Sequence, residues 1–200
     1  MFFKLNLNLL IKIFISICTI RIFEKMERQR IGIDMDEVLA DVIAKFETLY
    51  KQHHPNETLQ EQADGIEFYD LLPEHIAGDF RKHIYEKGFF RDLEVIEDSQ
   101  RVVKELTKKY DVFIVSAAME FRNSLEDKVD WLADHFPFIS WQRTIFCGLK
   151  IVNVDVLIDD RSRNFIGFDG RPLLFTSPHN RLITEFERVN TWEEVAAKLL

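Results

Sequence analysis

Residues 31–41 read IGIDMDEVLAD, an apolar tripeptide running directly into a knot of acids: Asp34, Asp36, Glu37 and Asp41. A short buried strand, cut off by charge, is followed by apolar residues Leu39, Val42, Ile43, Phe46, Leu49 and Tyr50 at three- and four-residue steps. That spacing predicts a helix, which Pro55 and Asn56 in HHPNE (53–57) should end. The strand–acid–helix unit sets the question for the rest of the chain: where else does an apolar run end in polar residues?

Two further places answer it. YDVFIVS (110–116) reads as a buried strand ending at Ser116, and DVLIDD (155–160) as another ending at Asp159 and Asp160. RPLLFTS (171–177) is a third such strand. Helical patterns lie between and after them. Asp98 or Ser99 can cap one carrying Val102, Val103 and Leu106. Ser124 to Asp127 resembles a capping box opening one with Leu125, Val129, Leu132 and Phe136. Thr191 with Glu194 caps a last one with Val195 and Leu199. Strands alternating with amphipathic helices mean an α/β fold with a parallel sheet. Ligands of open parallel sheets bind beyond the carboxyl ends of the strands. Asp34, Asp36, Ser116, Asp159 and Asp160 should therefore meet at one edge.

Residues 51–92 break the alternation. They hold GIEFYDLLPEHIAGDF (65–80) and RKHIYEKGFFRDL (81–93), rich in aromatics and turn residues, and read as short helices and turns inserted into the core. The expected division is 1–29 as an N-terminal extension outside the fold, 30–50 with 93–200 as the core, and 51–92 as a small helical cap. The first 23 residues admit three readings: a signal peptide, a membrane anchor, or translated upstream sequence ahead of a start at Met26. Lys12 interrupts the apolar run, which falls short of the roughly 20 residues a span needs. The third reading is preferred, with a cytoplasmic protein as its consequence.

Composition narrows the function. The chain has 200 residues, 46% hydrophobic and 30% charged, enough for one ordinary domain. Its net charge is −8, made of +4 on residues 1–30 and −12 on residues 31–200. A body that acidic repels phosphodiester backbones, so a nucleic-acid polymer is disfavoured as a partner. Two cysteines, Cys18 and Cys147, and six scattered histidines offer no disulfide framework or zinc pattern. Cys147 is expected to be a buried or inert thiol.

Clustered carboxylates repel unless a cation compensates or one of them stays protonated. Oxygen-only donors favour Mg²⁺. At the end of the first strand, Asp34 can present a carboxylate to a phosphorus atom, and Asp36 can reach back towards a leaving oxygen. Helix N-terminal N–H groups nearby favour an anion.

DMDEVLAD (34–41) resembles the first motif of haloacid dehalogenase (HAD) superfamily phosphatases. VFIVSAAME (112–120) resembles the second. Lys150 in CGLKIVNVDVLIDD (147–160) is similar to the third-motif lysine, and Asp159–Asp160 to the fourth-motif acidic pair. With GFFRDLEVI (88–96) and DVLIDDR (155–161), the chain more narrowly resembles the 5'(3')-deoxyribonucleotidases, the type C 5'-nucleotidases, over about residues 30–180. The resemblance implies a Rossmann-like parallel-sheet core with a small helical cap. It implies a Mg²⁺-dependent phosphomonoesterase acting on (deoxy)ribonucleoside monophosphates, and a homodimer. Asp34 would be the nucleophile and Asp36 the acid and base. Asp34, the main-chain oxygen of Asp36, and Asp159 would bind the metal, with Asp160 in support. Ser116 and Lys150 would hold the phosphate. Phe68, Tyr69 and Tyr85 are candidates to stack on the base, or else belong to the core of the cap.

Six residues near these motifs carry separate expectations. Glu37, where many HAD enzymes have Gly, is expected to point away from the site. Val42 stands where mammalian deoxyribonucleotidases place an aromatic base contact. Asp41 should be a structural carboxylate. Lys128 is weighed as a phosphate contact but expected to be a solvated helix lysine. Phe89 and Phe90 are expected in the core. The rival functions are a HAD phosphatase for another small phosphate ester, a non-catalytic phosphate-binding protein on the same fold, and a membrane-anchored interaction protein.

Overall fold

The computed structural model describes residues 28–200; the readings placed on residues 1–27 lie outside them. Arg28 and Gln29, counted with the extension, are tied to the fold. The Arg28 guanidinium donates to the carbonyls of Thr107 (2.8 Å) and Tyr110 (3.1 Å), and the Gln29 carbonyl accepts from Asp111 N–H (2.9 Å).

The centre is a six-stranded sheet in which every pairing is parallel. It contains β1 (Arg30–Ile33), β4 (Asp111–Ser116), β5 (Thr144–Phe146), β6 (Val156–Asp159), β7 (Arg171–Phe175) and β8 (Arg188–Val189), in the order β5-β4-β1-β6-β7-β8. β1 is central because it is buried on both faces: Ile31 and Ile33 are fully buried on one, and on the other Gly32 is covered by the side chains of Leu157, Val115 and Val154. Its register, Ile33 against Ile114 and Ile158, aligns the carboxyl ends of β1, β4 and β6. β5 and β8 were not read from the sequence. Each has only two or three residues, too few for a period to show.

Among the described residues, five α-helices accompany the sheet: α1 (Val42–His53), α2 (Glu74–Phe80), α3 (Ser99–Lys109), α4 (Ser124–His135) and α5 (Trp192–Leu199). α1 begins later than the apolar pattern suggested. Leu39 precedes it, and Ala40–Asp41 (β2) pairs antiparallel with Glu94–Val95 (β3). α5 starts as expected: the Thr191 hydroxyl accepts from Glu194 N–H at 3.2 Å.

Two capping expectations are corrected. Neither the Asp98 nor the Ser99 side chain caps α3: Asp98 is left-handed (φ 62), and its carboxylate meets Arg101 instead. The capping box at α4 does not form. Ser124 Oγ donates to Ala118 O (3.2 Å), and the Asp127 carboxylate accepts from Gly88 N–H (2.8 Å). α4 is rotated from its expected face as well. It buries Ser124, Asp127, Lys128, Trp131 and Leu132, and leaves Val129 exposed.

Residues 51–92 form α2 flanked by 3-10 turns at Phe68–Leu71 and Arg81–Tyr85. Their aromatic rings gather on α1. Phe46 stacks on Phe68 at 5.3 Å between centroids and meets Tyr69, Phe80 and Phe89. The segment is thus continuous with the main core. Among the described residues, no helix is long and apolar enough to cross a membrane.

Candidate active site

The loop after β1 is wound tightly. Met35 O accepts from the N–H groups of Leu39 (2.8 Å) and Ala40 (2.9 Å), and Glu37 N–H donates to Ala40 O at 2.8 Å. Glu37 takes up a left-handed φ of 59 to close this turn. Asp34 is thereby held at the strand end, buried, with its Oδ1 accepting from Met35 N–H at 2.7 Å.

Two lysines meet the carboxylates. Lys150, on the loop between β5 and β6, places Nζ 2.6 Å from both Asp34 Oδ2 and Asp159 Oδ2. Burial would lower its pKa, but Asp34 and Asp159 outweigh that and hold it above the usual lysine value. Lys128 is the major correction. It is fully buried, not solvated, and its Nζ lies 2.6 Å from Asp36 Oδ2, 3.2 Å from Ser116 Oγ and 4.5 Å from the centre of the Phe90 ring. A legible signal existed, since Lys128 shares the three- and four-residue spacing of Trp131 and Leu132. The other oxygen of Asp36, Oδ1, is buried and has no hydrogen-bond partner among the described residues.

The carboxylates group as the strand ends predict, with one distinction. Asp34, Asp159 and Asp160 each offer an oxygen, the three within 4.8 Å of one another. The Asp36 side chain is turned to Lys128 and lies outside this trio. An all-oxygen donor set of three carboxylates fits a hard divalent cation such as Mg²⁺. Burial raises the pKa of Asp34, opposed by Lys150. Burial, followed by the charges of Asp34 and Asp159, pushes Asp160 well above the carboxylate range.

A layer unread in the sequence orients the acidic pair. Asp159 accepts from Arg161 N–H (2.8 Å) and from Asn164 Nδ2 (2.9 and 3.0 Å). The Asp160 carbonyl accepts from the buried Asn180 amide at 2.8 Å and faces His179 Nε2 at 3.2 Å. No motif in the chain points to Asn164, His179 or Asn180, because they come from turns after β6 and β7 whose approach depends on the sheet order.

Glu37 does not simply point away. Its Oε1 accepts from the first N–H groups of α1, Val42 (2.9 Å) and Ile43 (3.0 Å), while the residue still borders the cavity. Burial, and then Asp41, push its carboxyl up to about 7. Asp41 is structural as expected, with Oδ1 accepting from Ala44 N–H at 2.8 Å.

A cavity of about 340 Å³ opens over Asp34 and Asp36, within the usual size range of small-ligand sites. Phe46, Phe68, Tyr69, Phe90 and Phe121 line it, with Val42. Tyr69 presents its ring with the Arg81 guanidinium already over it at 5.0 Å. Tyr85 is a correction: it is 52% exposed, packs on Phe121 and does not line the cavity. The 3-10 turn carrying it ends there and turns its ring outward. Phe89 and Phe90 are core residues as expected, Phe90 also lining the cavity. Cys147 is partly buried, its thiol pKa raised by burial.

The family model of the 5' nucleotidase, deoxy (Pyrimidine), cytosolic type C proteins matches residues 28–200. A 5'(3')-deoxyribonucleotidase of Bacillus subtilis (strain 168) is 40% identical over 172 residues, 85% of this chain and 98% of its own length. A Staphylococcus aureus (strain Mu50) relative is 43% identical over 171 residues, 85% of this chain and 94% of its own. Among solved structures, an L-2-haloacid dehalogenase from Xanthobacter autotrophicus superposes with a TM-score of 0.53 at 9% identity, covering 85% of this chain and 97% of that one. A HAD-hydrolase from Bacillus subtilis, bound to magnesium, gives 0.52 at 12%, covering 86% and 98%. At such identities these two show a shared HAD-like fold.

Proposed function

This chain belongs to the cytosolic type C 5'-nucleotidase family, and from that premise we propose that it is a Mg²⁺-dependent phosphomonoesterase. Its substrates are (deoxy)ribonucleoside monophosphates, and its products a nucleoside and inorganic phosphate. The observation that carries this reading is the pairing of two neighbouring carboxylates with two buried lysines beneath one aromatic cavity: Asp34 with Lys150, Asp36 with Lys128.

Asp34 is the nucleophile. Its carboxylate oxygen attacks phosphorus, the bond from phosphorus to the nucleoside oxygen breaks, and an aspartyl-phosphate forms. Asp36 gives its proton to the departing oxygen, and Lys128 anchors its carboxylate through Oδ2. In the second step Asp36 takes a proton from water as the water oxygen attacks phosphorus. The bond from phosphorus to Asp34 breaks and phosphate leaves. Lys150 and Lys128 offset the charge of the phosphate and of the two carboxylates, and Ser116 Oγ supplies a hydroxyl beside Lys128. Asp34, Asp159, Asp160 and the main-chain oxygen of Asp36 would hold Mg²⁺, which would supply electrostatic stabilisation of the phosphoryl oxygens. The magnesium bound to the similarly folded Bacillus subtilis hydrolase supports that choice of ion. Phe68 and Tyr69 contribute to the aromatic wall that receives the base.

The test is a panel of phosphate esters assayed with Mg²⁺ and with EDTA, for the native chain and for Asp34→Asn. The expected result is preference for nucleoside monophosphates, loss of turnover with EDTA, and loss of turnover in a folded Asp34→Asn protein. Near-native activity in that variant would sink the nucleophile assignment; preference for a phosphosugar would replace the substrate.

A further inference from the structure

One side of the aromatic cavity is closed by contacts that the chemistry above does not use. Arg161 directly follows the acidic pair, and its guanidinium reaches across to Glu67, in the segment 51–92. Nη1 meets Oε1, and Nη2 lies 3.1 Å from Oε2, a two-pronged match of guanidinium to carboxylate. The same arginine touches the acidic pair at its other end. Its N–H donates to Asp159 Oδ1 at 2.8 Å, and Nε lies 3.4 Å from Asp160 Oδ2. Glu67 is the residue from which the turn Phe68–Leu71 starts. One side chain thus spans from the metal-binding carboxylates to the base of the aromatic wall.

The chain before Glu67 is seated on the same part of the core. Gly65 N–H donates to Pro178 O at 2.9 Å, and Asp64 pairs with Arg181 at 3.1 Å. Gly65 has φ +79, a left-handed conformation that favours glycine at this seating. Arg161 and Glu67 keep 32% and 44% of their side chains exposed. They form the rim of the cavity, and water can compete for the pair when the segment lifts.

Resting on the nucleotidase reading, we infer that Arg161 is a positioning residue. Its fork on Glu67 latches residues 64–71 against the core, so the aromatic wall is held over the reacting carboxylates only while the latch is closed. A substrate with a nucleoside to place needs the latch. A small phosphate ester that occupies only the phosphate end does not.

The experiment compares the native chain with Glu67→Gln, Arg161→Lys and the double variant. Each is assayed with 2'-deoxyuridine 5'-monophosphate and with p-nitrophenyl phosphate, and followed by amide hydrogen exchange over residues 64–71. Either single change removes the two-pronged geometry while keeping the size of the side chain. In Glu67→Gln the expected result is a fall of about tenfold in kcat/KM for the nucleotide relative to p-nitrophenyl phosphate, mainly through KM. Exchange of the 64–71 amides is expected to be faster in every variant, and the double variant no worse than the more damaged single one. Equal losses on both substrates in Glu67→Gln, additive losses in the double variant, or unchanged exchange would overturn the latch. The exchange measurement needs no turnover. If no nucleotide is hydrolysed by the native chain while Glu67→Gln still loosens residues 64–71, the substrate reading fails and the latch stands.

Discussion

Lys128 and Asp36 show how much one buried charge can settle. A lysine with no exposed surface costs several kcal/mol of desolvation unless it is paired and hydrogen-bonded. Here Asp36 Oδ2, Ser116 Oγ and the face of Phe90 surround the ammonium. Replacing Lys128 with Met, which keeps the length and removes the charge, is expected to lower kcat about 100-fold, measured with saturating nucleotide. Circular dichroism should confirm a folded protein. A folded variant with near-native kcat would reduce Lys128 to packing. The sequence reading took Leu125, Val129, Leu132 and Phe136 as the inward stripe of α4, which left Lys128 on the solvated side. The face that packs inward instead carries Ser124, Asp127, Lys128, Trp131 and Leu132.

At the scale of elements, the first helix carries the clearest local logic. Four N–H groups at the start of any α-helix lack intrahelical partners. Asp41 takes that of Ala44, and Glu37 takes those of Val42 and Ile43. Two acids in the opening motif therefore serve the helix, while Asp34 and Asp36 pair with the buried Lys150 and Lys128. Asp41 was legible as scaffolding from its place at the start of the periodic run. Glu37 was not, since its reach back to α1 depends on the left-handed turn that no side-chain pattern encodes. Asp41→Ala is expected to cost about 1 kcal/mol, seen in calorimetry as a fall of roughly 2–4 °C in Tm. An unchanged Tm would show that Glu37 alone suffices as the cap.

For the whole molecule, the sheet order is decisive. β1 lies between β4 and β6, so Asp34, Ser116 and Asp159, distant in sequence, reach one edge. Gathering Asp34, Asp159 and Asp160 there creates a repulsion that Lys150 offsets in part. A divalent cation bound to the trio should therefore stabilise the folded state. At about 100 times its Kd, Mg²⁺ is expected to contribute roughly 2.7 kcal/mol, raising Tm by several degrees in a thermal-shift measurement. EDTA and Asp159→Asn should both abolish the rise. No shift with Mg²⁺ in the native chain would count against the metal assignment.

The sequence by itself determined the α/β class, the three principal strands with polar ends, and the acids those ends carry. Apolar runs of strand length and their terminal residues are local, and periodicity records them directly. Only the tertiary structure decided that Lys128 turns inward, that Tyr85 turns outward, and that Asn164, His179, Asn180 and Arg161 brace the acidic pair. Those outcomes depend on which face of a helix meets the sheet and which turns lie side by side. Such choices are settled by the packing of distant segments, where a buried charge and its partner must arrive together for either to be tolerated.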